Sequence, residues 1–288
     1  MSAPDQTTQP NNTYVLETES AEEMGRQGHL DHVVTRAMGG PLAHLPLAPD
    51  AKILDIACGT GGWVLDAAFE RPDSEVAGID ISKVMINYAN ARARSEGRTN
   101  ASFGVMDVRQ PLDFSDNTFD LVNGRWLTSF LLRQDWPVLL KECLRITKPG
   151  GIIRITESDT WGLTNSAGYQ NLLDVMYRTM HKGGYGFSPD GKTLGITPKL
   201  PGFLRQLGCE QIQVQAHAID FSAGTNTWAD FYHNVLIATQ EGNPYPIRMG
   251  ITTKEELSAW RTQMEIEMHQ DDFGGFFYLT SVWGTKPA

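Results

Sequence analysis

Three aspartates stand where short apolar segments end: Asp55 in KILDIA, Asp80 closing EVAGID and Asp107 closing ASFGVMD. Between the first two lies a knot of glycines, Gly59, Gly61 and Gly62, in the stretch ILDIACGTGGW. Glycines let a ligand lie against the backbone and let the chain take positive φ. Asp55 suits an ammonium group, directly or through a water. Asp80, about 20 residues past the glycines, stands where a ribose diol would donate to a carboxylate. Asp107 suits the exocyclic amine of an adenine. A dinucleotide fingerprint would need a third glycine where Val64 stands, so a pyrophosphate is not expected. The set suits a ligand with a nucleoside and a cation but no phosphate.

These residues act together only if the chain brings its strand ends to one place. Candidate strands are KILDIA, EVAGID, ASFGVMD, FDLVNG, GIIRITE and QIQVQAHAIDF. Helical patterns lie between them in GWVLDAAFE, KVMINYANARARS, DWPVLLKECLRI and GYQNLLDVMYRTM. Short apolar strands alternating with amphipathic helices predict an α/β fold with a doubly wound, mostly parallel sheet. Ligands in such sheets bind outside the carboxyl ends of the strands, where strand order reverses. A helical pattern also runs from Tyr14 to Met38, stopped by Gly39-Gly40-Pro41. After Phe221 come two helical stretches, TWADFYHNVLIATQ and KEELSAWRTQMEIEM, then the aromatic strand GGFFYLTSVWGT. That strand is expected on the sheet edge as an antiparallel member. The expected organisation is a disordered tail at 1–12, a helical cap at 13–48, a cofactor-binding core at 49–221, an inserted helical cap at 222–273 and a final core strand at 274–288.

The ordered motifs carry a resemblance. D-I-A-C-G-T-G-G resembles motif I of class I S-adenosylmethionine-dependent methyltransferases, and G-I-D-I-S motif II. V-M-D-V resembles the adenine motif, F-D-L-V-N-G-R-W motif IV, and L-R-I-T-K-P-G-G-I-I-R-I-T-E the late K-P-G-G motif. All five fall in order between residues 53 and 157. The subgroup they are most similar to includes the ubiquinone and menaquinone C-methyltransferases. The resemblance implies a Rossmann-like fold, S-adenosyl-L-methionine as cofactor and methyl transfer as activity. It places Asp55, Ala57, Gly59, Gly61, Asp80, Ile81, Met85, Asp107 and Val108 beside the cofactor, with Ile81 under the adenine. The loop of Asn123, Gly124 and Arg125 reaches the methionine moiety, where Arg125 can pair with the carboxylate. Tyr14 can close over the cofactor.

Catalytic residues are sought around the same mouth. Glu157 ends the fifth strand, and Tyr232 and His233 lie on the inserted helices, so these three are the candidate bases. Trp, Tyr, Phe, Met and His dominate the segments expected to form the acceptor pocket: the N-terminal helix, the 183–198 loop and the inserted helices. That suits a small, partly apolar acceptor, whose methylated atom (N, O or C) the residues leave open. Cys58, with no flanking base, reads as a small residue that fits its turn.

Composition narrows the alternatives. The chain has 288 residues, a net charge of -10 and three cysteines without a C-x-x-C. An acidic chain without a basic stripe is a poor partner for nucleic acid or an anionic membrane. No metal site is expected from the scattered histidines, and the polar N-terminus and lack of a long apolar run read as cytoplasmic. A homo-oligomer stays open. Two competing functions remain: an NAD-dependent oxidoreductase, disfavoured by Val64 and the K-P-G-G motif, and an S-adenosylmethionine-binding protein without transferase activity.

Overall fold

The computed structural model describes residues 21–239 and 245–288. The chain enters through α1 (Ala21–Ala37), then alternates β1 (Lys52–Ile56), α2 (Gly62–Glu70), β2 (Glu75–Asp80), α3 (Lys83–Ser95) and β3 (Ala101–Val105). β4 (Phe119–Arg125) leads through a 3₁₀ turn at Leu127–Ser129 to α4 (Trp136–Ile146) and β5 (Thr147–Glu157). There follow β6 (Leu163–Thr164), α5 (Ala167–Lys182), α6 (Leu200–Gln206), β7 (Glu210–Asp220), α7 (Trp228–Ala238), α8 (Tyr245–Arg248), α9 (Lys254–Met268) and β8 (Gly275–Thr285). Local chemistry sets several starts. Ser82 and Ser166 cap α3 and α5, accepting the N–H of Met85 and Tyr169, and Thr253 with Glu256 forms a capping box on α9.

The strands form one sheet in the order β3-β2-β1-β4-β5-β8, with the first five parallel. Strand order reverses between β1 and β4, which is the switch point of a doubly wound sheet. β8 runs antiparallel, but not at the edge as expected: β5 and the two-residue β6 share one flank of it, and β7 pairs along the other. β7 is therefore the outer strand.

β1 and β4 are almost wholly buried, as parallel strands covered on both faces must be. Ile53, Val76, Leu121 and Ile152 are in register and meet Trp63, Val64, Ala67 and Ala68 of α2. Leu54, Val122 and Ile153 point to the other face and join the larger core with α4. α1 is tied to the sheet, because its Val34, and Met38 just after it, belong to that larger core. Among the described residues, no helix is long and apolar enough to cross a membrane.

Candidate active site

A cavity of about 630 Å³ opens at the carboxyl ends of the strands, beside the switch point. Asp55, Ala57, Gly59, Asp80, Ile81, Met85, Asp107, Val108, Arg125 and Glu157 all line it. The turn after β1 is built for close approach: Ala57 and Gly59 both take left-handed backbone, each at φ +54°. Asp80 braces that turn. One of its oxygens accepts the Gly59 N–H at 2.9 Å and the other the Ser82 N–H at 2.9 Å. Capping of α3 falls to Ser82, which leaves Asp80 facing the cavity.

Asp55 is buried, and burial pushes its carboxyl up to about 7 against the opposing pull of Arg125 and a 2.6 Å hydrogen bond from Asn123 Nδ2. Asp107 behaves differently. Partial burial pushes its carboxyl up, but hydrogen bonds from Arg109 at 2.8–3.2 Å outweigh that and hold it below the usual range. The Cys58 thiol is raised well above its ordinary value, first by burial and then by Asp80 and Asp55, so it is unsuited to nucleophilic work.

α1 supplies one wall through Arg26, Gln27, Leu30 and Asp31. Asp31 forms an ion pair with Arg125, whose other Nη donates to Thr35 Oγ1 at 3.1 Å. The same Asp31 carboxylate lies against Gly62 at the start of α2, where a Cβ would collide with it. A negative group is favoured at that helix N-terminus. Arg125 thus lines the cavity with a protein carboxylate as its partner.

The opposite wall is mainly apolar, with Phe130, Trp161, Tyr169, Leu172, Leu173, Met176, Met180, Leu257 and Phe277, and with Thr179, Lys254 and Arg261 beside them. Much of it comes from α5, which the sequence marks as a helix without marking it as part of the site. Tyr169, Leu172, Leu173, Met176 and Met180 follow the helical period on one face, and the same stripe serves core and cavity alike. Only Leu194 represents the 183–198 loop. Glu157 sits at the base of this lobe, 1% exposed, and accepts the Thr128 N–H at 3.2 Å. Burial pushes its carboxyl up to about 8.

Five of the expected residues lie off the cavity lining. Gly61 is left-handed (φ +78°), but a Cβ there would meet the Phe103 ring at 2.6 Å and Ala89 at 2.8 Å. Its missing side chain makes room for protein, not ligand. Asn123 and Gly124 have their backbones paired to β1 and β5, and the Asn123 side chain spans Asp55 and Arg154. On α7 the lining residues are Asn234, Val235, Ala238 and Thr239. At 3.6 residues per turn His233 points away from that face, while Tyr232 stands on its flank and packs against Trp228 and His269 instead of lining the cavity. Tyr232 stacks on Trp228, with ring centroids 5.1 Å apart, and His233 is exposed. Tyr14 lies outside the described residues. Tyr232→Phe and His233→Ala should therefore leave turnover within about twofold of the wild type. A tenfold loss in either variant, measured at saturating cofactor, would return these residues to the active site.

Residues 53–151 match the model of the methyltransferase domain. The chain is 28% identical over 278 residues to methyltransferase pytC of Aspergillus terreus, covering 92% of this chain and 81% of that protein. It is 36% identical over 111 residues to a demethylmenaquinone methyltransferase of Bacillus pumilus, covering 38% of this chain and 45% of that one. In fold it is similar to phosphoethanolamine N-methyltransferase 2 of Haemonchus contortus, solved in complex with S-adenosyl-L-methionine. The TM-score is 0.56 at 17% identity, over 94% of this chain and 59% of that one.

Proposed function

We infer, for a chain that is an S-adenosylmethionine-dependent methyltransferase with the class I fold, that its acceptor is a small, partly apolar molecule held against α5, α7 and α9. The observation that carries this reading is the division of one cavity into two chemistries. Its inner side, under the strand ends, carries Asp55, Asp80 and Asp107. Its outer side is mainly aromatic and aliphatic, with Asn234, Thr239, Lys254 and Arg261 among the residues from α7 and α9. A volume of about 630 Å³ lies within the range of roughly 300–1,000 Å³ usual for small-molecule sites.

The donor set fits S-adenosylmethionine. Asp80 would hold the ribose hydroxyls, Asp107 and the Val108 backbone the adenine edge, and Ile81 and Met85 the ring face. Asp55 would receive the α-ammonium group. When bound, the cofactor would supply a methyl group on a sulfonium sulfur, to be attacked in line by the acceptor with the neutral thioether of S-adenosylhomocysteine as leaving group. The chain's own task is then to bind and orient, since alignment of the reacting atoms is a large part of such rate enhancements. The described parts of the helical segments within 13–48 and 222–273 form walls of the mouth and would shield it from water.

Of the three candidate bases, Glu157 is the one at the cavity, and it would take the acceptor's proton where that proton must leave. With its carboxyl pushed up to about 8, turnover that needs the carboxylate should rise with pH through that value. The same burial affects stability. The folded chain holds the Glu157 proton more tightly than the unfolded chain does. Stability from this group is complete at acid pH and is lost as pH rises from about 4.5 through about 8. Glu157→Gln should remove that loss, so its stability relative to the wild type should improve between pH 6 and pH 9, on the order of a few kcal/mol. Urea unfolding at both pH values checks this, and a relative stability that does not change with pH contradicts it.

Thermal shift and labelled-methyl assays test the function itself. S-adenosylhomocysteine at 100 times its Kd should add about 2.7 kcal/mol of stability, and NAD none. Labelled methyl groups from S-adenosylmethionine should appear on small aromatic or apolar acceptors. Stabilisation by NAD alone would favour the oxidoreductase. S-adenosylmethionine binding without transfer to any acceptor would favour the binding protein.

A further inference from the structure

Asp55, Asn123 and Arg154 stand in register on β1, β4 and β5, in one row across the sheet. All three are buried, Arg154 to 2% exposure. Arg154 Nε donates to Asn123 Oδ1 at 2.7 Å, and Asn123 Nδ2 donates to Asp55 Oδ1 at 2.6 Å. Arg154 Nη2 donates to the Pro41 carbonyl at 2.6 Å, and its guanidinium lies 5.4 Å from the centre of the Trp63 ring. These hydrogen-bond partners are neutral, so the acid that balances the buried guanidinium is Asp55, one side chain away.

The polarity of this chain follows from its far end. A guanidinium can only donate. It therefore fixes the amide oxygen of Asn123 toward itself and the amide nitrogen toward Asp55. Asp55 Oδ1 must then accept, which is the role of a carboxylate oxygen. A flipped amide would instead present an acceptor to Asp55 and favour the protonated acid.

We propose that Arg154 is a positioning residue for the cofactor site, orienting Asp55 through Asn123 and holding it as the anion that receives the cofactor's ammonium group. This rests on the reading that Asp55 meets that ammonium. The other groups that bear on the pair are Arg125 on β4 and Asp31 on α1, both near Asp55, the Cys58 thiol, which burial, Asp80 and Asp55 hold well above its ordinary value, and His44 and His217, which share a cavity of about 10 Å³ with Arg154. His217 is held below its ordinary range by burial, then by His44 and Arg154, so the positive charge facing Asp55 near neutrality comes from the two arginines.

The test is S-adenosylhomocysteine affinity between pH 5.5 and pH 9, by calorimetry on the full chain. In the wild type, affinity should fall on the acid side of about 7, and binding at pH 7 should release protons. Arg154→Met should weaken binding about tenfold at pH 7, less at pH 9, with the acid limb displaced upward by about one pH unit. It should also increase the proton release. Arg154→Lys, which keeps the charge and a donor, should keep the limb near its wild-type position. Should Arg154→Met not fold, Asn123→Leu cuts the same chain, and the same upward displacement is expected. Folded variants of either kind with a wild-type limb and wild-type proton release would overturn the proposal. Asp55→Asn separates the two ideas. If it abolishes the limb while the Arg154 variants leave it in place, only the positioning role fails. If it changes neither affinity nor limb, the ammonium reading fails and the proposal with it.

Discussion

Replacing Asp80 with alanine is expected to weaken S-adenosylhomocysteine binding by at least tenfold, about 1.4 kcal/mol. Two losses combine. The carboxylate at the end of β2 would no longer accept from the ribose hydroxyls, and hydrogen bonds to charged groups are worth roughly 1.5–3 kcal/mol. The Gly59 N–H would also lose its 2.9 Å partner, which loosens the turn on which the ligand lies. Asp80→Asn keeps an oxygen for Gly59 but gives up the charge, so its loss should be smaller. Calorimetry on both variants resolves the order. Unchanged affinity in Asp80→Ala would mean that the ribose lies elsewhere.

Gly61→Val should cost the fold rather than the ligand. Gly61 has φ +78° and ψ 12°, a left-handed conformation that costs an L-residue roughly 1–2 kcal/mol and suits a β-branched residue worst. Its new Cβ would press on Phe103 of β3 and Ala89 of α3, and overpacking adds roughly 1–3 kcal/mol. The sum, about 2–5 kcal/mol, is a large share of the 5–15 kcal/mol by which ordinary domains are stable. Gly59→Ala is the contrast. A Cβ at Gly59 meets nothing nearer than Gln27 Oε1 at 3.6 Å, so it should fold with a smaller penalty and act mainly on cofactor affinity. Thermal unfolding and S-adenosylhomocysteine titration on both proteins check the pair. A Gly61→Val protein as stable as the wild type that fails to bind would put the ligand, not Phe103, against that glycine.

These two glycines show where sequence reasoning reaches and where it stops. A cluster of glycines after a buried strand announces a tight, left-handed turn, because few other residues tolerate that backbone. It does not say whether ligand or protein occupies the space, since Phe103 arrives from a strand some forty residues on. The strand ends were legible for a similar reason. An acid closing an apolar run is a local signal, and Asp55, Asp80 and Asp107 all line the cavity.

Non-local pairing was not legible. That β8 would enter between β5 and β7 depends on which edge is open when the last strand arrives, and nothing within GGFFYLTSVWGT encodes it. The Asp31–Arg125 pair spans 94 positions of sequence. Helix α7 was misread for want of phase. WADFYHNVLIA is apolar on most sides, so its pattern could not say that Asn234 would face the cavity and His233 away from it, nor that Tyr232 would be held by Trp228 and His269. Val34 and Met38 in the main core tie α1 down, so single changes such as Leu30→Ala are suited to probing its wall.

The most direct test of the account is a crystal structure of the full chain with S-adenosylhomocysteine. The ribose hydroxyls should lie about 2.5–3.0 Å from the Asp80 carboxylate, with the adenine amine at Asp107, the ammonium at Asp55 and the sulfur turned toward the lobe of Glu157 and Met176. A ligand bound outside this cavity, or inside it with its ribose away from Asp80, would contradict the account.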